Sequence, residues 1–270
     1  MDKETLRKVQ LTQLEILKEV DRVCKENDID YWLDSGTLLG AVRHKGFIPW
    51  DDDLDIAMRR EDYERFLRIA PQKMDCNFFV QHWNNDIHYP FPWAKVRKRG
   101  TIFTEYQLKD SASLNGIYID IFPTDRYGNR KIKQGFPLKF IKLAMLTKCH
   151  LKAWKEYDRV NYKKLITHAP IRLMAHVIPR QYMINKYYQV ATSYNNKDIK
   201  QYYGQGIVNY GERIYSEDMV KHLIDLPFED GMFPCPADYD GYLKISFGDY
   251  MTLPPENERE NRHRIVEIKL

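Results

Sequence analysis

Leu6, Val9, Gln13, Ile16, Leu17, Val20 and Val23 recur at helical spacing, which predicts an amphipathic helix over residues 3–26 that ends near Asn27 and Asp28. Ile29–Leu33 is short, apolar and aromatic and suits a strand, after which Asp34-Ser35-Gly36-Thr37 turns the chain into a short helix over Leu38–Val42. Gly46–Trp50 reads as a loop. From Asp53 to Met58 the pattern alternates, with Leu54, Ile56 and Met58 on one strand face and Asp53, Asp55 and Ala57 on the other. Tyr63, Phe66, Leu67 and Ala70 mark a further helix, expected to close at Pro71. Asn77–Trp83, Ala94–Arg97 and Thr101–Phe103 have strand character, the last two read as a hairpin turned by Lys98-Arg99-Gly100. Ile117–Phe122 is a clearer strand, its isoleucines on one face and Tyr118, Asp120 and Phe122 on the other.

From Gln134 to Asn195 the pattern turns helical, interrupted at Pro170 and Pro179. Leu226–Cys235 is a hairpin about Asp230-Gly231, followed by a helix over Asp238–Phe247 that Gly248 stops. The expected fold class is α/β (α+β): a mixed β-sheet core flanked by helices, with a mostly helical second lobe. The expected division is a catalytic core over residues 1–130, a helical lobe over 131–225 and a C-terminal hairpin and helix over 226–270 that packs back on the core.

With 270 residues, 43% hydrophobic and 30% charged, the chain is long enough to bury a sizeable core. Its 42 basic and 38 acidic residues leave a net charge of +4, too small a field to hold nucleic acid nonspecifically. An anionic ligand has to be held locally. No stretch approaches the roughly 18 uninterrupted apolar residues of a membrane span, so a cytoplasmic, soluble chain is expected. Cys24, Cys76, Cys149 and Cys235 stand far apart and read as reduced, buried thiols.

The acidic run Asp51-Asp52-Asp53-Leu54-Asp55 changes the picture most. Like charges at the start of a core strand repel, and a divalent cation would offset that cost, since Mg²⁺ takes hard oxygen ligands from carboxylates and phosphates. A solvated acidic loop is the alternative, and the run alone leaves the two even. Three features tilt the balance. Ser35-Gly36-Thr37 lies at a helix start, where N–H groups and the helix dipole can receive a phosphate. Asp120 offers a third carboxylate from another strand. Arg43, His44 and Lys45 stand between the turn and the acids as candidate phosphate partners.

Taken together, Tyr31–His44 and Ile48–Asp55 resemble the LicD family, which includes bacterial phosphocholine transferases and is similar to the fukutin-related sugar-phosphate transferases of the nucleotidyltransferase superfamily. The family signature, a Gly-[Gly/Ser] pair, an Asp-x-Asp and a distant strand Asp, falls here on Gly36 with Thr37, on Asp53 with Asp55, and on Asp120 within Tyr118–Pro123. Thr37 stands where Ser is commoner and keeps the hydroxyl. Tyr239–Pro255 also looks like the family's C-terminal segment, whereas residues 130–225 carry no matching motif.

The resemblance implies transfer of phosphocholine or a related phospho-group from a CDP-activated donor such as CDP-choline to a sugar hydroxyl of a cell-surface polysaccharide, teichoic acid or glycolipid precursor, with release of CMP. Asp53, Asp55 and Asp120 would hold Mg²⁺, or Mn²⁺ in its place, and carry catalysis. Ser35, Gly36, Thr37, Arg43, His44, Asp51, Lys95, Arg97 and Lys244 are the candidates for binding the donor. Trp50, Tyr89 and Trp93 are candidates for caging a quaternary ammonium. Phe136–Lys148 mixes apolar residues with lysines and is a candidate for peripheral membrane contact, at the inner face of the membrane. Two rivals stay open: transfer of NMP to a small molecule, protein or RNA, and a choline- or glycan-binding module without catalysis.

Overall fold

The computed structural model describes residues 1–126, 135–149, 155–156, 159–197, 202–205, 214–261 and 263–270; the boundary expected near residue 130 lies outside them. The chain opens with α1 (Lys3–Glu26), whose first turn is capped by Asp2 accepting from the Thr5 N–H at 2.9 Å. There follow β1 (Trp32–Leu33), α2 (Ser35–His44), β2 (Asp55–Arg59), α3 (Arg60–Lys73), β3 (Phe78–Gln81), β4 (Ala94–Lys98), β5 (Ile102–Glu105) and β6 (Tyr118–Arg126). The lobe contributes α4 (Phe136–Lys148), the short β7 (Lys155–Glu156) and β8 (Arg159–Val160), α5 (Tyr162–Thr167), α6 (Ala169–Val177) and α7 (Arg180–Ala191). The chain closes with β9 (Tyr202–Gln205), β10 (Ile214–Ser216), α8 (Glu217–Lys221), β11 (Leu223–Phe228), β12 (Gly231–Pro236), α9 (Tyr239–Phe247) and β13 (Ile265–Lys269).

The main sheet runs β1-β2-β6-β4-β3, with β2 and β6 parallel and the other pairs antiparallel, and β9 joins β6 beyond the end of β4. Helices α1 and α3 pack on one face. The mixed sheet with flanking helices is the α/β class expected. Val9, Ile16, Leu17, Val20 and Val23 of α1 are buried with Ile56, Met58, Val96, Ile119 and Ile121 in one core. Phe228, Phe233, Cys235 and Leu243 of the C-terminal hairpin and helix belong to the same core. A second cluster joins Trp83, Tyr89, Phe91 and Trp93 to Leu138, Met145, Ala175, Met183 and Tyr187, so residues 83–93 pack with the helical lobe.

Several local expectations are corrected. Pro71 does not end α3, which continues for two residues to Lys73, so the hydrogen bond the proline cannot donate is lost only in the last turn. β4 and β5 do not pair: β4 lies against β3, and β5 takes β13 from the other end of the chain. The helical run does break at Pro170 and Pro179, as expected: Pro170 lies in the first turn of α6 and Pro179 caps α7, where a missing N–H costs nothing. Cys76 is exposed, while Cys24, Cys149 and Cys235 are buried. Phe136–Lys148 forms a helix whose Leu138, Ile141, Ala144 and Met145 are buried in the second cluster, while Phe136 stays exposed.

Candidate active site

Strand register assembles the site. Asp55 on β2 stands beside Asp120 on β6, Asp120 beside Lys95 on β4, and Lys95 beside Gln81 on β3. Because directly paired residues point the same way, these four side chains form a row on the face opposite α1 and α3. Asp53 precedes β2 by two residues and Leu54 between them is fully buried, which keeps the two carboxylates on the side away from the core.

The loop leading into β2 is held from both sides. Gln10 and Gln13, on the buried face of α1, donate through their amides to the carbonyls of Asp51 at 2.9 Å and Asp52 at 3.0 Å. From the opposite side comes α2, whose N-cap Asp34 accepts from Ser35 N–H at 2.7 Å and from the Tyr242 hydroxyl at 2.8 Å. The Asp34 N–H bonds to the Asp55 carbonyl, and Thr37 Oγ1 accepts the Asp55 N–H at 2.8 Å, so the start of α2 is tied to the start of β2. Gly36 is required here: a Cβ would stand 2.6 Å from Asp51 Oδ2, and its absence lets that carboxylate rest against the first turn of the helix.

Charge is concentrated accordingly. Desolvation, then the carboxylates of Asp53, Asp120, Asp34 and Asp51, all push the Asp55 carboxyl well above its ordinary range. Asp120 is raised too, chiefly by burial, although Lys95 and the indole of Trp93 oppose this; Trp93 Nε1 donates to it at 2.6 Å. Nearby cations are engaged. Lys95 lies 3.3 Å from Asp120 and 3.5 Å from Glu105, over the ring of Tyr118. His263 Nδ1 lies 3.0 Å from Asp52, and although burial opposes its charge, that bond and the charges of Asp53 and Glu105 raise its pKa to about 9. Asp51, Asp52 and Asp53 bring carboxylate oxygens within 4.8 Å of one another, and this is the acidic trio that close packing selects, rather than Asp53 with Asp55 and Asp120. Hard oxygens facing one another beside few free cations are a donor set that fits Mg²⁺, and Asp53 belongs to both trios.

Other candidates lie elsewhere. Arg43 and His44 occupy the last turn of α2, about 10 Å along the axis from Gly36, and Arg43 donates to the Tyr250 carbonyl at 2.7 Å. Arg97 is buried against Gln81 and the Gly116 carbonyl and lines a cavity of about 230 Å³ with Lys109, Asn115 and Glu267, so its donors hold the loop after β5. Lys244 pairs with Asp240 one turn away on the exposed face of α9. Trp50 packs between His44 and Arg259, apart from Tyr89 and Trp93, which sit in the second cluster with Trp93 stacked on Phe91 at 4.7 Å. The three aromatics do not converge into a cage, because the last two serve as core.

The structure gives the site four further residues. Gln13 carried a signal, a polar residue at an apolar helical position. Glu105 follows a strand-like segment, but only the fold shows that it receives Lys95 and the Tyr118 hydroxyl, the latter at 2.6 Å. Lys142 on α4 stands 5.4 Å from the Trp93 ring centre, and burial, with the charge of Lys139, lowers its pKa to about 8. His263 had no local signal.

Comparison with known proteins gives this geometry a context. The lipopolysaccharide cholinephosphotransferase LicD of Haemophilus influenzae is 31% identical over 97% of this chain and 97% of its own. The chain belongs to the LicD family. The family profile described as LicD/FKTN/FKRP, nucleotidyltransferase domain, matches residues 28–144, which include Gly36, Asp53, Asp55 and Asp120. Human ribitol 5-phosphate transferase FKRP is 43% identical over 53 residues, 18% of this chain and 11% of that protein. An uncharacterized protein of Rickettsia typhi is 44% identical over 72 residues, 27% of this chain and 23% of that one. The named LicD-family relatives are transferases of phosphate-bearing groups, and the chain is an enzyme of that class.

Proposed function

We propose that this protein transfers phosphocholine, or a related group such as ribitol phosphate, from a CDP-activated donor to a sugar hydroxyl of a surface polysaccharide, teichoic acid or glycolipid precursor, releasing CMP. The observation that carries the proposal is the near full-length similarity to a lipopolysaccharide cholinephosphotransferase, which spans the whole Asp55–Asp120–Lys95 row. The first turn of α2, with Gly36 and Thr37, faces the acidic loop and is suited to receive a phosphate.

Asp53 and Asp55, with Asp120 or with Asp51 and Asp52, would hold Mg²⁺ or Mn²⁺. When bound, such an ion neutralises the diphosphate and the charge that develops on the leaving phosphate. Asp120, fixed by Trp93 and Lys95, accepts the proton of the attacking sugar hydroxyl. The hydroxyl oxygen bonds to the phosphorus distal to cytidine, the bond from that phosphorus to the bridging oxygen breaks, and CMP departs with that oxygen. Lys95 balances Asp120 in the row and Glu105 beside it, and so keeps the base in place.

A thermal-shift panel of CDP-choline, CDP-ribitol, CDP-glycerol, CTP and ATP with Mg²⁺ tests donor class, because a ligand bound by the folded state raises the melting temperature. The expected result is stabilisation by a CDP-linked donor, followed by CMP and a phosphodiester on the acceptor. Pyrophosphate release with a nucleotidylated acceptor overturns the proposal in favour of NMP transfer, and ligand binding without turnover overturns it in favour of a binding module.

A further inference from the structure

Helix α6 is apolar on both sides. Ile171, Ala175 and the following Ile178 pack into the second cluster, whereas Leu173, Met174 and Val177 are 72%, 45% and 79% exposed. Arg172 and His176 are its only polar side chains. The preceding α5 exposes Tyr162 and Ile166, one turn apart and each 71% open to solvent. A helix that is apolar all round belongs in a core or against lipid. No helix among the described residues is long and apolar enough to cross a membrane, so a helix of this kind would lie on the surface.

Charge indicates what covers this face. From residue 127 to 197 the chain has fifteen Lys and Arg and two acids, and from Arg159 to Lys197 it has seven and none. The remaining sequence holds 27 basic and 36 acidic residues, so the small net charge of the whole chain conceals a segregation of sign. An apolar face in an acid-free, basic segment is complementary to a bilayer bearing anionic headgroups.

We propose that α5 and α6 dock this protein on an anionic lipid surface, with Leu173, Met174 and Val177 inserted below the headgroups and Lys163 among the lipid phosphates. Helix α6 packs on α4, Lys142 of α4 lies over Trp93, and Trp93 bonds to Asp120, so docking holds the acidic row near the bilayer. That position suits a sugar acceptor carried on a lipid. The usefulness of docking rests on the transfer reaction proposed above, but the docking itself does not.

Flotation of the full chain with vesicles of phosphatidylcholine alone, or of phosphatidylcholine and phosphatidylglycerol in equal parts, tests the surface without any donor or acceptor. The expected result is flotation with the anionic vesicles only, lost at high salt. Leu173→Glu combined with Val177→Glu should lower the floated fraction by more than about tenfold while leaving the melting temperature unchanged. Lys163→Glu should lower it by a smaller factor. Absence of flotation, or flotation that survives the α6 double variant, overturns the proposal. So does a concentration-dependent dimer, seen by light scattering, that the double variant dissolves while vesicles capture nothing, since the face would then be a contact between copies.

Discussion

The acidic row and the α5–α6 face depart from ordinary packing in opposite ways. At the row, carboxylates are drawn together and out of water until Asp55 is surrounded by four others, while the apolar side chains beside it are fully buried. On α6 the titratable groups are few and basic, and the large apolar residues stand in solvent. Each arrangement raises the free energy of the isolated fold, one by repulsion and desolvation and the other by hydration of apolar surface. On the proposals above, each would be relieved by a different external group, a divalent cation with a diphosphate in one case and a lipid surface in the other. Two regions that are unfavourable in opposite ways are therefore where the two proposals are tested.

That contrast is broken most sharply by Asp55→Asn. The amide keeps the size of the side chain and removes the charge that Asp53, Asp120, Asp34 and Asp51 oppose. Turnover, followed as CMP release, should fall by roughly 10³-fold, whereas the melting temperature in a chelator should stay the same or rise. A variant that keeps its activity would remove Asp55 from the site, and one that unfolds would show that the carboxylate is structural.

The junction between the two regions sharpens the comparison, because there a buried charge is paired. Arg60 on α3 bonds to Asp125 on β6 through Nε at 2.8 Å, Asn195 donates to the same carboxylate at 2.9 Å, and the guanidinium lies 5.4 Å from the ring of Tyr188 on α7. Asp125→Asn leaves the Arg60 cation buried without its counter-charge and should destabilise the protein by about 3–5 kcal/mol in urea unfolding. The same chemical change is thus expected to have opposite effects on stability at Asp55 and Asp125. A loss near zero at Asp125 would mean that water reaches Arg60.

Much of the row was legible because alternation is local: Asp53, Leu54 and Asp55 reveal sidedness without any partner. Register was not legible, since the pairing of Asp55 with Asp120 and of Asp120 with Lys95 depends on strands far apart in sequence. The turn at Gly36 was visible, but the close approach of the Asp51 carboxylate that demands glycine was not. Composition misled for the aromatics, because Tyr89 and Trp93 have the same residue types whether they line a cage or fill a core. Composition also could not tell α4 from α6, since both mix apolar and basic residues, and only packing shows that α6 exposes Leu173, Met174 and Val177 while α4 buries Leu138, Ile141, Ala144 and Met145. His263 reaches Asp52 from the far end of the chain, which no nearby pattern announces.

The pH dependence of stability offers a smaller test, with two carboxyls of the same neighbourhood acting in opposite directions. Glu105 is buried, which alone would raise its pKa, but Lys95, His263, Tyr118 and Gln107 outweigh that and hold it at about 2, against an ordinary 4.5. A folded pKa below the unfolded one contributes stability that is full above pH 4.5 and is lost as pH falls toward 2. Asp55, with its pKa raised, costs stability at neutral pH, and that cost fades as it takes up a proton and is gone once pH falls below 3.8. Glu105→Gln should therefore flatten the acid limb of urea midpoint against pH, by no more than about 3 kcal/mol across the window. Asp55→Asn should steepen the same limb, because it removes the stability regained on protonation. Parallel limbs for wild type and Glu105→Gln would show that Lys95 draws its compensation from Asp120 alone, and the row would then be a pair of charges with Glu105 as a bystander.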